Sequence, residues 1–294
     1  MTFTKSQLIL ITVCIALVAL LYIFGQRKSL ESPTSGEMPT GGMPMASNPD
    51  ATTLLKTQID MTALAERLKA KIKTGAADSI AYWENKFKES ADSESRTHAL
   101  RQIARIWENE GYLELGANYH RQIARTDSTR TNWLEAANKL ADAFQLAGDS
   151  TMKLFLIENA IDSYQKTLQF DTTQLDVKVN IANCYFDAYS NNPQMVMTGV
   201  MLLRSVTAID STYVPANISL GRMSIVSGQF DKAILRFQTV IRRDPGNAEA
   251  YYYLGEAYAA MGQKEKAKEA FENCKKLIKN PNFAAELDKY IQQL

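Results

Sequence analysis

The 294 residues are 46% apolar and carry 33 Lys and Arg against 32 Asp and Glu, a formal charge of +1. That apolar content can build a sizeable core and excludes a wholly disordered chain. The near-zero charge balance removes the broad positive field that a general nucleic-acid binder needs, so no nucleic-acid partner is expected.

The first predicted element is a membrane anchor over residues 1–25. Residues 8–24 read LILITVCIALVALLYIF, an uncharged run that as a helix covers roughly 26 Å, close to a bilayer core. The run exceeds a signal-peptide core of about 7–15 residues, and no A-x-A site follows it. Lys5 on one side faces Arg27 and Lys28 on the other, so the positive-inside rule does not orient it. The short head resembles a bacterial signal anchor, which implies a single-pass inner-membrane protein with an extracytoplasmic body. Residues 26–57 hold Pro33, Pro39, Pro44 and Pro49 among Gly, Ser, Thr and Met. This is linker composition, a coil spanning about 30 Å on average. Met38, Met43 and Met45 lack the His or Cys company of a soft-metal site.

From residue 58 onward apolar residues recur at three and four, the helical period. Residues 58–96 are expected to form a divergent helical pair, Thr62–Lys73 and Ala77–Ser90. Beyond it a longer period emerges. Leu220 recurs as Leu254, Gly221 as Gly255, Gly228 as Gly262, Ala233 as Ala267 and Phe237 as Phe271, each pair 34 residues apart. Small residues at such places let helix backbones approach, large ones fill the joint between hairpins, and the glycines mark turns. The turn Asp244-Pro245-Gly246 closes one unit and recurs as Asp210-Ser211-Thr212, Asp171-Thr172-Thr173 and Asp127-Ser128-Thr129, with the aspartates spaced by 44, 39 and 34, and the side-chain oxygens of those three turns are expected to cap a helix. The extra length is assigned to an early-starting helix near Thr151 and to a stretched loop over 189–193. His120 stands where the later units carry Phe237 and Phe271.

These residues resemble the tetratricopeptide repeat (TPR), and the resemblance covers about two thirds of the chain, strongest over 214–281. It implies an all-α fold, a right-handed superhelix or α-solenoid of about five repeats over 97–281, with residues 282–294 as a capping helix. It also implies a groove lined by the first helix of each hairpin. The family register places Arg101 and Arg105, Asn138 and Asp142, Val179 and Asn183, Ile218 and Arg222, and Tyr252 and Glu256 on that wall. Of these, Arg101, Arg105, Asn138, Asn183, Arg222 and Tyr252 are the candidate peptide-binding residues. Arginine can fork onto a carboxylate, and asparagine can both donate to and accept from an extended backbone. The family's carboxylate clamp is not matched, because arginine stands at both Arg101 and Arg105 where the clamp has lysine and asparagine. Tyr251 is assigned to the core.

No phosphate loop, G-x-S-x-G elbow, H-E-x-x-H or paired Cys-x-x-Cys occurs. Cys14, Cys184 and Cys274 are far apart and the only histidines are His98 and His120, so neither a metal nor any other cofactor is expected. The expectation is a non-catalytic, membrane-anchored scaffold that binds a protein or extended peptide, in bacterial envelope protein assembly or quality control. The alternatives are a self-associating structural homo-oligomer and an apoprotein-binding module of the kind used in cytochrome c maturation.

Overall fold

The structure, a computed structural model, describes residues 58–294, so the anchor and linker expected over 1–57 lie outside the described residues. Two helices come first, α1 (Met61–Lys69) and α2 (Thr74–Glu89), joined by an ion pair from Lys69 to Glu84 at 2.7 Å. Five hairpins follow: α3 (Ser93–Asn109) with α4 (Leu113–Thr126), α5 (Arg130–Leu146) with α6 (Ser150–Phe170), α7 (Leu175–Ala188) with α8 (Pro193–Ile209), α9 (Val214–Val226) with α10 (Phe230–Arg243), and α11 (Ala248–Ala260) with α12 (Lys264–Leu277). Helix α13 (Pro281–Gln293) packs on α12. Each hairpin also packs through its first helix on the second helix of the hairpin before it, and α2 packs on α3 while α1 reaches α4.

The apolar spacing explains each layer. In α10 the side chains of Ala233, Ile234, Phe237 and Val240 fall on one buried face, the i, i+1, i+4, i+7 stripe of a surface helix. Phe237 then lies against Gly221, where an added Cβ would stand 2.5 Å from the ring, and Phe271 lies against Gly255 in the same way at 2.6 Å. Gly111, Gly228 and Gly262 close three hairpins at φ of 85°, 69° and 69°, a left-handed conformation that side chains resist.

Two sequence expectations change. One closing turn caps the following helix as expected, Thr129 accepting from Asn132 N at 3.2 Å, whereas α7 and α9 begin without a side-chain cap. Asp171 instead accepts from the backbone N–H and hydroxyl of Thr173 at 2.9 and 2.6 Å, and Asp210 does the same with Thr212. These hydrogen bonds hold the turn itself and draw both carboxyls below their ordinary pKa. Elsewhere capping falls to residues outside those turns, Asp149 accepting from Met152 N and Asn247 from Ala250 N. The extra length of the third hairpin lies in α8 more than in a loop, because Asn192 caps the helix and Pro193 occupies its first turn. Proline tolerates that position because its missing N–H would be unpaired there in any case.

Candidate functional site

The first helices α7, α9 and α11 approach one another directly, and side-chain contacts continue the row back through α5 to α3. Polar contacts join neighbouring hairpins along it. Arg101 on α3 reaches α5, donating to Glu135 Oε2 at 3.2 Å and to Asn132 Oδ1 at 2.8 Å. Lys139 on α5 reaches back to Glu108 on α3 at 2.8 Å. Gln145 donates to Asp187 on α7 at 3.2 Å, and Ser219 on α9 donates to Asn183 Oδ1 at 2.8 Å. The Arg222 guanidinium sits 5.6 Å from the Tyr253 ring centre on α11.

The candidate residues therefore occupy different situations. Arg101 is committed to Glu135 and Asn132, while Arg105, one turn on, is exposed and pairs with no other described residue. Asn138 accepts from the Tyr164 hydroxyl at 2.8 Å. With their oxygens occupied, Asn138 and Asn183 both retain amide N–H groups as donors. Arg222 is exposed above Tyr253. Tyr252 donates to Glu256 at 3.0 Å and lies edge-on to Tyr253 and Phe271, with Phe283 of α13 tilted against it. It is thus gathered into the aromatic cluster beneath the last helix. Val179 and Ile218 are not on the wall surface. Both are buried in the joints between hairpins, where an apolar side chain gains more than it would facing water.

Charge is interleaved at the α3–α5 end. Buried His120 on α4 lies 3.3 Å from Glu108 and 3.3 Å from Glu135. Burial lowers the His120 pKa despite both carboxylates, because Lys139 and Arg101 already neutralise them. Asp187 is pushed the other way: crowding by the surrounding helices raises its pKa against the pull of Arg222 and the hydrogen bond from Gln145. Glu135 and Glu108 are absent from the sequence-based expectation. Glu135 lies three residues before Asn138, the position that the repeat register matches to Arg101, so the register alone does not pair them.

This wall can donate hydrogen bonds and exchange ion pairs. Repeat folds of this kind are characteristically non-catalytic, and among the described residues no group of three or more His, Cys, Asp or Glu is placed to hold a metal. Cys184 and Cys274 are buried and free of disulfides, and burial pushes the Cys184 thiol up to about 12. That removes it as a thiolate nucleophile at neutral pH.

Residues 224–273 match the family model described as tetratricopeptide repeat. The described body is an all-α, right-handed solenoid of TPR-type helical hairpins. Among solved structures, the thermophilic TPR protein TTC0263 of Thermus thermophilus is 13% identical, with a TM-score of 0.51, 67% of this chain covered and 100% of that one. The MamA protein is 21% identical, with a TM-score of 0.46, covering 62% of this chain and 91% of that one. The C-terminal part of a TPR repeat-containing protein from Cytophaga hutchinsonii is 16% identical, with a TM-score of 0.47, covering 73% and 78%. No curated protein matches the chain. The fold supports a generic role as a protein- or peptide-binding scaffold.

Proposed function

We propose that the protein is a membrane-tethered adaptor that holds an extended peptide segment along the wall of first helices, in the assembly or quality control of exported proteins. The observation that carries this reading is the set of donors left open there. Arg105 has no described partner, and Asn138 and Asn183 keep their amide N–H groups once Tyr164 and Ser219 have taken their oxygens. Such a row suits a ligand rich in acceptors, an extended backbone ending in or flanked by carboxylates. Arg101 orients the wall through Glu135, and an incoming carboxylate could compete for its guanidinium. Arg222 with Tyr253 offers a cation and an aromatic edge further along, with Tyr252 behind them.

The uncharged run over 8–24 and the Pro-rich segment over 26–57 supply the address in this reading: an inner-membrane anchor with an extracytoplasmic body. Among the described residues no helix is long and apolar enough to cross a membrane. Tethering raises the local concentration of whatever the wall holds without any further contact.

The test is in-cell crosslinking with affinity capture, comparing the native chain with an Arg101→Glu/Arg105→Glu variant and with Arg105→Glu alone. Loss of one defined partner in both variants, with melting of the single variant unchanged, is the expected result. Undiminished capture by both places the site elsewhere, and recovery of only the protein itself identifies a homo-oligomer.

A further inference from the structure

Helix α8 departs from the pattern of the other late second helices. Outside the core, α10 and α12 present charged side chains, Asp231, Lys232 and Arg242 on one and Glu265, Lys266, Glu269 and Glu272 on the other. Helix α8 has no acidic residue, has Arg204 as its one basic residue, and buries only Gly199, Leu203 and Val206 of its 17 residues. Met197 and Met201 are left 51% and 63% exposed.

Across a groove of about 480 Å³, α8 faces α10, where Leu235 is 64% exposed, and Leu220 and Met223 of α9 form the floor. Its charged lining residues are Arg204, Lys232 and Arg236. Lys232 donates only to Gln229 and Arg236 to Asn217, so no carboxylate of the described residues answers them. Burial lowers the Arg236 pKa, and the neighbouring Arg204 charge lowers it further. This character does not come with the fold. The corresponding groove between α10 and α12, about 440 Å³, has Glu269 in its lining beside Lys266 and Arg242, and Lys266 rests on the Tyr258 ring.

We infer that the groove between α8 and α10 seats an acidic amphipathic helix of a partner protein, its apolar stripe between the two helices and its Asp or Glu side chains over Arg204 and Lys232. Val196, Val200 and Arg204 rise one turn at a time along one rim, and Lys232, Arg236 and Thr239 along the other. The two rims run for roughly 12 Å, the length of about two helical turns. Unbranched methionine adapts to such an insert. A second copy seated by the same surface would bring Arg204 and Lys232 onto their own like charges, and an acidic partner removes that conflict. This site lies between second helices and is independent of the wall of first helices.

The test titrates the full chain in lipid nanodiscs with two designed helical peptides that share a leucine stripe and carry either Glu or Lys on its flanks. The Glu peptide is expected to bind at least tenfold more tightly, with binding that weakens as salt rises. Arg204→Glu with Lys232→Glu, both exposed positions, inverts that preference without changing melting, and Met197→Ser weakens both peptides. Equal binding, or a preference that survives charge reversal, overturns the proposal. In a second arm a photocrosslinker replaces Met197 in cells. Crosslinks to an acidic helical segment of another protein support it; crosslinks to a second copy, to residues 1–57 of the same chain or to lipid overturn it.

Discussion

His120 occupies the place that Phe237 and Phe271 fill in the later hairpins, and the substitution turns a packing position into an electrostatic one. Two carboxylates at 3.3 Å would ordinarily stabilise an imidazolium, but each already has its own cation, Lys139 at 2.8 Å on Glu108 and Arg101 at 3.2 Å on Glu135. Burial then decides, and the folded pKa lies below the ordinary value of 6.5. The folded state holds the ring neutral while the unfolded chain takes up its proton near pH 6.5, so His120 favours folding above that pH. Its contribution diminishes as pH falls toward the folded value. Chemical denaturation from pH 7.5 to 5 should show stability falling with pH, and His120→Phe should flatten the slope. An identical slope in the variant would mean that this ring titrates as though exposed.

At the scale of a helix, the contact of Phe237 with Gly221 holds two elements at a distance no larger residue would permit. Phe237→Ala should cost about 3–5 kcal/mol by opening a cavity, measured by denaturant melting; a negligible change would mean the hairpin does not close on that ring. This contact is legible in the sequence because small and large residues repeat together at an offset of 34. Other elements are less legible. The repeat register puts Val179 and Ile218 on the wall, yet the turn of each helix carries them into the joint with the next hairpin. A pattern of residue types does not fix helix rotation to the nearest side chain. The aspartates mark the boundaries between hairpins, but a carboxylate can bond either its own turn or a following helix, and only the backbone path decides. The open donors of Asn138 and Asn183 depend on Tyr164 and Ser219, which lie 26 and 36 residues away, off the repeat period that would signal them.

For the whole body, stability should be distributed along the array, because each hairpin packs chiefly on its neighbours. Helix α13 covers the last of them: Leu287 is buried with Phe271 and Cys274, and Phe283 closes over Tyr252. A chain ending at Lys279 should melt lower and lose hydrogen-exchange protection first in α11 and α12, while α3 to α6 stay protected. Uniform loss across all helices would mean the body unfolds as one unit. The two faces inferred to bind, the wall of first helices and the groove between α8 and α10, use different sides of the same hairpins, so both could be occupied at once.

Within two successive hairpins Gly221 and Gly255 approach Phe237 and Phe271 in nearly the same way, and the turns at Gly228 and Gly262 share φ of 69°. Two hairpins thus share one internal frame. A further copy of residues 214–247 spliced in after its original would keep that frame, but its Ser219 would stand where Tyr253 now stacks on Phe237, so the array lengthens there by duplication only with a repacked joint. The 21-residue α6 and the 17-residue α8 are longer than the 14-residue α10 and α12, so the hairpins that hold them do not share this frame.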